Sequence, residues 1–367
     1  MIRRVSGFQF AVVIATLTMS FSTIHAVEVS GTITTRTWTA ANSPYRVTGT
    51  ITVPAGNTLT IQAGIDVLFD ADVPFVVNGI LHALGTSSAK IEFRAGVATE
   101  WGGIRLESGT ASANSRLDYV FISDGNADSC NDETSDYNGF EGGGVFVSGS
   151  DNNVLFNNCN IFENRANEVG GGLRNCSTVT LNDCIISGNS GYLGGGIFNT
   201  GTATLNRCVI DGNVSTGGGG IYNSSFYSIN QTATATLTNC TISRNNALES
   251  GGGICNDYWS TATLTNCTVS GNSASQGAGI NNESFGDITL LDCTVYGNIA
   301  KELYESPYDG GGICNVNGTA TLTNCIIRGN SAVSGGGICN ISATTTLTNC
   351  TISDNKTVAS STSSPLL

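Results

Sequence analysis

The sequence predicts an all-β solenoid, in which short strands coil and each coil stacks on the next. Three observations indicate this fold: a repeated unit, an alternation of apolar and polar residues inside it, and the lack of any helical period. The unit reads Gly-Gly-Gly-Ile-x-Asn, followed by Thr-Leu-Thr-Asn-Cys-Thr-Ile-Ser-x-Asn. Its recurrence every few tens of residues is typical of solenoids and arrays.

The period is read from one cysteine in each unit. Subtracting neighbouring residue numbers gives spacings of 25, 24, 32, 27, 26, 32 and 25 for Cys159, Cys184, Cys208, Cys240, Cys267, Cys293, Cys325 and Cys350. We therefore predict rungs of about 24 to 32 residues, of which the two longest carry insertions at 224–232 and 299–309. Loops that leave a regular scaffold usually carry specificity.

The unit 251–272 illustrates the strands of one rung. Apolar and polar residues alternate with period two, so that Leu264 points inward and Thr265 outward. The phase resets after Asn266, which places Cys267 and Val269 inward and implies a bend between two strands. We expect three short strands per rung, stable only through stacking on neighbouring rungs.

Stacking places equivalent side chains in columns about 4.8 Å apart. The predicted leucine column is Leu181, Leu205, Leu237, Leu264, Leu290, Leu322 and Leu347. The predicted isoleucine and valine column is Ile161, Ile186, Ile210, Ile242, Val269, Val295, Ile327 and Ile352.

Two asparagine columns complete the predicted rung. The first is Asn175, Asn199, Asn223, Asn256, Asn282, Asn315 and Asn340, and the second is Asn164, Asn189, Asn213, Asn245, Asn272, Asn298, Asn330 and Asn355. Asparagine tolerates left-handed backbone geometry and bonds through its amide to the copy above, so both columns are interpreted as structural. The glycine triplets fit sharp bends that need positive φ.

The chain divides into five segments by composition and pattern. We predict a secretory signal over 1–26, a cap and opening rungs over 27–123, an acidic insertion over 124–141, repeat rungs over 142–357, and a Ser/Thr-rich tail over 358–367. The signal has two arginines, an apolar stretch and Ala26. No later segment has the roughly 18 consecutive apolar residues of a membrane helix, so the mature chain is expected to be secreted or held at the cell surface.

Composition argues against nucleic acid as a partner and leaves disorder as the alternative to an ordered fold. With 15 Lys and Arg against 28 Asp and Glu, the formal charge of −13 repels nucleic acid. The 47 glycines would also suit a disordered tract. Disordered tracts, however, lack apolar residues that return at a fixed phase, so the ordered solenoid is favoured.

The repeats resemble those of chlamydial polymorphic outer-membrane proteins, within the wider class of right-handed parallel β-helix, pectate-lyase-like proteins. The similarity runs from about Gly142 to Asn355 and rests on Gly-Gly-apolar-apolar and an Ile-x-x-Asn motif, as in 242–245, where the family has Phe-x-x-Asn. Residues 45–125 look like opening rungs of the same helices. The resemblance implies a single-stranded right-handed parallel β-helix at the surface or secreted, often adhesive. It does not specify a reaction.

The thirteen cysteines allow two interpretations. The eight of the inward column would be strained as disulfides, because in-register Cβ atoms lie farther apart than the preferred roughly 3.8 Å, and a reduced column is the favoured alternative. Cys314 with Cys339, and Cys130 with Cys176, are more accessible candidate pairs. A zinc site is not expected, because the chain has no Cys-x-x-Cys and only His82 follows the signal.

An outward column on one strand is the predicted place for chemistry or binding. It contains Arg105, Phe146, Arg174, Phe198, Tyr222, Cys255, Asn281, Cys314 and Cys339. In pectate lyases an outward arginine acts as the base beside calcium-binding carboxylates, which makes Arg105 and Arg174 candidate catalytic residues by resemblance. Phe146, Arg174, Phe198 and Tyr222 are candidate binding residues for sugar rings or protein partners, unless neighbouring loops shelter them.

The acidic insertion is a candidate calcium site. Asp124, Asn126 and Asp128 open like a calcium loop, and Asp132 and Glu133 follow, but Ser129 and Ser135 stand where Gly and Glu would be required. The alternative is a solvated loop whose carboxylates keep an exported chain soluble. Calcium is therefore a possible cofactor, and the favoured interpretation is that the protein requires no cofactor.

The leading hypothesis is an exported, non-enzymatic β-helix for adhesion or recognition of glycans or cell surfaces. A calcium-dependent polysaccharide lyase or other carbohydrate-active enzyme is the alternative, although the paired carboxyl groups of a glycosidase are not apparent in the outward column. A fragment of a larger surface protein is the third. Strand edges at the end of the solenoid also predict self-association.

Overall fold

The computed structural model describes residues 26–107, 114–127, 141–149, 152–226, 232–301 and 309–359. Within them, strands β1 to β41 and one short 3₁₀-helix, Ala40–Asn42, form the secondary structure. The strands lie in four parallel columns, named here ladders A to D. No helix in this part of the chain has the length and apolar character needed to cross a bilayer.

Ladder A follows the glycine triplets. Its strands are β1 (Val27–Thr32), β3 (Tyr45–Val53), β6 (Phe75–Val77), β9 (Ile104–Glu107), β12 (Val145–Ser148), β15 (Leu173–Asn175), β18 (Ile197–Asn199), β22 (Ile221–Ser224), β26 (Ile254–Asp257), β30 (Ile280–Asn282), β34 (Ile313–Val316) and β38 (Ile338–Ile341).

Ladder B follows ladder A in each rung and contains the Thr-x-Thr-Leu-Thr segments. Its strands are β2 (Arg36–Trp38), β4 (Thr58–Gln62), β7 (Ile80–Leu84), β10 (Arg116–Asp118), β13 (Asn153–Asn157), β16 (Thr178–Asn182), β19 (Thr202–Asn206), β23 (Thr234–Thr238), β27 (Thr261–Thr265), β31 (Asp287–Leu291), β35 (Thr319–Thr323) and β39 (Thr344–Thr348).

Ladder C follows the inward cysteine, and ladder D precedes the next triplet. Ladder C is β5 (Asp66–Phe69), β8 (Ile91–Ala95), β11 (Val120–Ile122), β14 (Asn160–Phe162), β17 (Ile185–Ser187), β20 (Val209–Asp211), β24 (Thr241–Ser243), β28 (Thr268–Ser270), β32 (Thr294–Tyr296), β36 (Ile326–Arg328) and β40 (Thr351–Ser353). Ladder D is β21 (Val214–Gly217), β25 (Asn246–Ser250), β29 (Ser273–Ala274), β33 (Ile299–Ala300), β37 (Ser331–Ala332) and β41 (Lys356–Thr357).

The ladders make three parallel sheets. Ladders A and C form one sheet of 23 strands, because the long strand β3 pairs with β5 of ladder C and with β6 of ladder A. Ladders B and D form sheets of 12 and 6 strands. The predicted leucine and isoleucine columns are confirmed: for example, Leu237 pairs with Leu264, and Ile242 with Val269. Their side chains fill one continuous core, except Leu347 and Ile352 in the last described rung, which are exposed.

The fourth ladder was not predicted. Its strands are mostly short, as in Ser273–Ala274, and their small side chains give no alternation long enough to recognise. Alanines form a small separate cluster along it: Ala247, Ala274, Ala278, Ala300 and Ala332. The rung therefore has three longer strands, as expected, and in the second half of the chain a brief fourth one.

The asparagine columns are buried hydrogen-bond chains. In the second column, the backbone N–H and the Nδ2 of Asn213 both donate to Oδ1 of Asn245, and Nδ2 of Asn245 donates to the Ile210 carbonyl, each at 3.0 Å. The expected left-handed geometry lies elsewhere, at the preceding residue, as in Arg244 with φ 54°. The asparagine side chain that stabilises the bend, such as that of Asn245, therefore belongs to the residue after the one with positive φ.

The glycine triplets have two separate physical roles. The first glycine has positive φ, 64° at Gly251, which turns the chain from ladder D into ladder A. The third allows close approach, because a Cβ at Gly253 would lie 2.5 Å from the carbonyl oxygen of Gly279 in the next rung. The predicted need for glycine at these bends is confirmed.

The inward cysteines are thiols that bond to backbone carbonyls. Cys208 donates from Sγ to the carbonyl of Leu181 at 3.4 Å, and the same pattern recurs along the column. None of the described cysteines, Cys176, Cys314 and Cys339 among them, is joined in a disulfide. Cys130 lies outside the described residues.

Candidate functional site

The outer face of ladder A carries two adjacent columns of side chains. The predicted column from Arg105 to Cys339 lies in register, rung by rung. Because side chains two residues apart share a face of a strand, a second column runs beside it. Its members are Glu107, Ser148, Cys176, Thr200, Ser224, Asp257, Glu283, Val316 and Ile341.

The arginines of the first column are tied into this face. Arg174 donates to Glu141 Oε2 at 2.9 Å and to Thr200 Oγ1 at 2.9 Å, and its guanidinium lies 4.5 Å from the centre of the Phe198 ring. Arg105 bonds to Glu107 at 3.3 Å and stacks over the Phe146 ring at 4.9 Å. The guanidinium groups thus hold the coils together.

The predicted binding residues of this column are mostly covered. Phe198 is fully buried, Arg174 and Tyr222 are buried, and Phe146 is half-buried. The cover is the segment before each glycine triplet, since Val169 and Leu193 pack against Phe198, Tyr222 and Cys255. These side chains therefore fit the sheltered alternative better than an open face.

Beyond Tyr222, the same face holds two carboxyl groups, here called the acidic pair, Asp257 and Glu283. The Tyr222 hydroxyl donates to Asp257 Oδ2 at 2.6 Å, and Cys255 Sγ lies 3.5 Å from Glu283 Oε1. Asp257 is 3% exposed. No basic side chain of the described residues forms an ion pair with either carboxyl group.

The environment of the acidic pair favours protonation. Burial raises the pKa of Asp257, and burial followed by the charge of Asp257 raises the pKa of Glu283. The hydrogen bonds from Tyr222 and from the Tyr258 N–H at 2.8 Å oppose the shift at Asp257 without cancelling it. The pair is therefore poised to take up protons above the ordinary carboxyl range.

We expect the acidic pair to make the protein more stable as the pH falls. A raised carboxyl pKa in the folded state contributes stability that is present below the unfolded value, about 4, and is lost as the pH rises through the folded value. Urea midpoints between pH 5 and pH 8 measure the slope, and Asp257→Asn/Glu283→Gln should flatten it. An unchanged slope in this double variant would contradict the assignment.

Directly beside the acidic pair lies an exposed group of aromatic side chains, here called the aromatic patch: Phe226, Tyr258, Trp259 and Phe285. They are 60%, 41%, 65% and 56% exposed. Trp259 and Phe285 stack with centroids 4.5 Å apart, and Phe226 and Tyr258 lie 4.6 Å apart. The patch spans the turns between ladders A and B of three successive rungs.

The backbone under the patch is strained. Tyr258 and Trp259 have φ of 46° and 57°, and Ser284 and Phe285 have 50° and 65°. Left-handed geometry costs a bulky residue about 1 to 2 kcal/mol, and glycine or asparagine would avoid that cost. The next rung has Asn317-Gly318 at this turn, so the aromatic side chains occupy positions that folding alone would give to smaller residues.

The sequence contained a signal for this patch. Asp257-Tyr258-Trp259 and Glu283-Ser284-Phe285 put acidic and aromatic residues where other rungs have Thr200-Gly201, Val316-Asn317-Gly318 and Ile341-Ser342-Ala343. The predicted outward column does not include the patch, because the turn residues lie just beyond the strand. A departure of one repeat from its neighbours was the usable clue.

The described calcium candidates already bond to the protein. Asp124 Oδ2 accepts from the Ala95 N–H at 3.3 Å, and Asn126 Nδ2 donates to Glu100 at 2.6 Å. No group of three His, Cys, Asp or Glu side chains within the described ranges is arranged to hold a metal ion. Asp128, Asp132 and Glu133 lie outside those ranges, so the calcium site remains a prediction.

Comparison with known proteins agrees with the three parallel sheets. Residues 220–352 match the family model described as a right handed beta helix region. The fold is a right-handed parallel β-helix. The matched part of this β-helix includes the acidic pair and the whole aromatic patch. No curated protein matches the chain.

Proposed function

We propose that this β-helix is an exported, non-enzymatic protein of adhesion or recognition, which binds glycans through the aromatic patch. The observation that carries the proposal is four exposed aromatic side chains on the turns of three successive rungs, two of which are strained. Aromatic rings stack on the apolar faces of sugar rings and retain a polar edge for water. Residues 1–25 lie outside the described residues, so the signal peptide and export remain part of the proposal.

The geometry favours an extended saccharide along the helix axis. Successive rungs repeat at about 4.8 Å, close to the length of one pyranose unit, so neighbouring sugars would meet aromatic rings on neighbouring rungs. The protein carries a formal charge of −13, which disfavours polyanions. A neutral or amino-sugar polymer is therefore the proposed ligand class.

The arginines give less support to a lyase. A base must reach the proton that it removes, whereas the Arg174 side chain is buried and already bonded to Glu141 and Thr200. One observation favours a second candidate, a glycoside hydrolase: the acidic pair provides two carboxyl groups with raised pKa next to the aromatic patch. The resemblance to chlamydial surface repeats supports adhesion instead.

One binding experiment separates these candidates. We expect the mature protein to be retained by an immobilised neutral or amino-sugar polysaccharide, with no shortening of the polymer over extended incubation. Shortened chains would favour the hydrolase, and unsaturated products absorbing in the ultraviolet would favour the lyase. Failure to bind any member of a broad glycan panel, with and without Ca²⁺, would contradict glycan recognition.

The last described rung supports a proposal of self-association. Leu347 and Ile352 are 44% and 47% exposed there, whereas Leu322 and Ile327 in the preceding rung are fully buried. An exposed core layer with unpaired strand edges favours docking of a second copy. Analytical ultracentrifugation should show association that Leu347→Lys weakens.

A further inference from the structure

We propose that Cys314 and Cys339 form a reversible disulfide that fastens the last described strand of ladder A to its neighbour. The two residues are direct partners in the parallel pairing of β34 with β38. Both belong to the outer column of this ladder, where each lies directly beside the other on neighbouring strands. Strand spacing of about 4.8 Å lies within the Cα range that disulfides adopt.

Position in the fold distinguishes this pair from the eight inward cysteines. Each inward thiol of the column is engaged with backbone carbonyls, as Cys325 is with Leu290 at 3.5 Å, and all but the last are buried. Cys339 is instead half-exposed, so an oxidant can reach it. Within the described residues β38 pairs with ladder A on one side only, which leaves the strand free to adjust to the shorter Cβ separation of a disulfide.

The two thiols have different roles in the reaction. Hydrogen bonding from Cys314 lowers the pKa of Cys339, whereas hydrogen bonding to Cys339, with burial, raises the pKa of Cys314. The thiolate is the nucleophile in exchange, and Cys339 is the more accessible of the two thiols, so Cys339 reacts first. Cys314, which is fully buried, then resolves the mixed disulfide.

The oxidant is a small-molecule or protein disulfide. The Cys339 thiolate attacks one sulfur of that disulfide, its S–S bond breaks, and one thiolate leaves. Cys314 loses its proton and attacks the Cys339 sulfur, which releases the second thiolate. Two protein thiols are thereby oxidised by two electrons, and one external disulfide is reduced to two thiols. The presence of such an oxidant around the protein rests on the proposed export, because disulfides form and persist mainly in oxidising compartments outside the cytosol.

The experiment uses oxidised glutathione with the folded mature chain, followed by unfolding, alkylation and peptide mass spectrometry. We expect a Cys314–Cys339 crosslink, two fewer alkylated thiols than in the untreated chain, and full reversal by dithiothreitol. Cys339→Ser should abolish the crosslink, and Cys314→Ser should trap glutathione on Cys339. This chemistry is tested on purified protein, so its outcome does not depend on glycan binding or on export.

A matched control uses the inward pair of the same two rungs. Cys325→Ser/Cys350→Ser should leave both the crosslink and the loss of two thiols intact. Three results would overturn the proposal: retention of both outer thiols, a stable glutathione adduct on Cys339 of the wild-type chain, or a crosslink between Cys325 and Cys350. Circular dichroism of each variant confirms that the β-helix is folded before oxidation.

Discussion

Replacing Trp259 and Phe285 by glycine should abolish glycan binding while leaving the β-helix intact. Both residues have left-handed φ, 57° and 65°, which glycine adopts without strain. The double variant removes the stacked pair of the aromatic patch, so we expect a loss of at least about 2 kcal/mol, or roughly 30-fold in Kd. Isothermal titration with the polysaccharide identified in the panel measures the change.

The control for this variant is Tyr192→Ala. Tyr192 is 57% exposed but lies outside the patch, so its loss should leave Kd unchanged. Thermal unfolding of the double glycine variant should occur at or above the wild-type temperature, because relief of backbone strain offsets the lost ring stacking. Wild-type affinity in a folded double variant would disprove the role of the patch.

Removing one amide from the second asparagine column should strongly destabilise the fold. Asn245→Ala leaves the buried backbone N–H of Asn213 without its acceptor and takes a donor away from the Ile210 carbonyl. It also removes one of the two acceptors of Asn213 Nδ2, which keeps only its bond to the Ile186 carbonyl. Each unsatisfied buried group costs about 1 to 3 kcal/mol. We therefore expect a loss of about 3 kcal/mol or more, measured as a lowered urea midpoint.

Asn246→Ala is the matched control. It removes the same side chain from the adjacent residue, but the side chain of Asn246 is exposed, so the urea midpoint should hardly move. Because each rung contacts mainly its neighbours, the slope of the Asn245→Ala transition should also fall as cooperativity is interrupted mid-column. Equal midpoints for the two variants would show that the columns contribute little.

Much of the fold was predictable because repetition makes the sequence redundant. Leu264 and Val269 point inward in every equivalent copy, so periodicity alone gave the core columns and their register. The asparagine chains were predicted for the same reason. Ladder D was missed because its strands, such as Ile299–Ala300, are too short for an alternation to be recognised.

The candidate site was predicted only in part, because exposure depends on what the turns cover. The outward register of Arg174, Phe198 and Tyr222 followed from the repeat, but their burial beneath Val169 and Leu193 required three-dimensional information. The aromatic patch depends on residues that differ from their repeat equivalents. A repeat pattern records only what the rungs share, so residues that occur in one or two rungs do not show in it.

The asparagine columns also give the molecule a direction. In both buried columns the bonds between asparagines run toward the later rung, from Asn175 to Asn199 in one and from Asn164 to Asn189 in the other. In the second column Nδ2 also donates back to a carbonyl of the earlier rung. Backbone N–H donors fix the oxygen of the second column, so its orientation is uniform. Aligned amide dipoles reinforce one another along a chain. Each chain of asparagine-to-asparagine bonds therefore has a direction along the axis, so its first and last members are not equivalent.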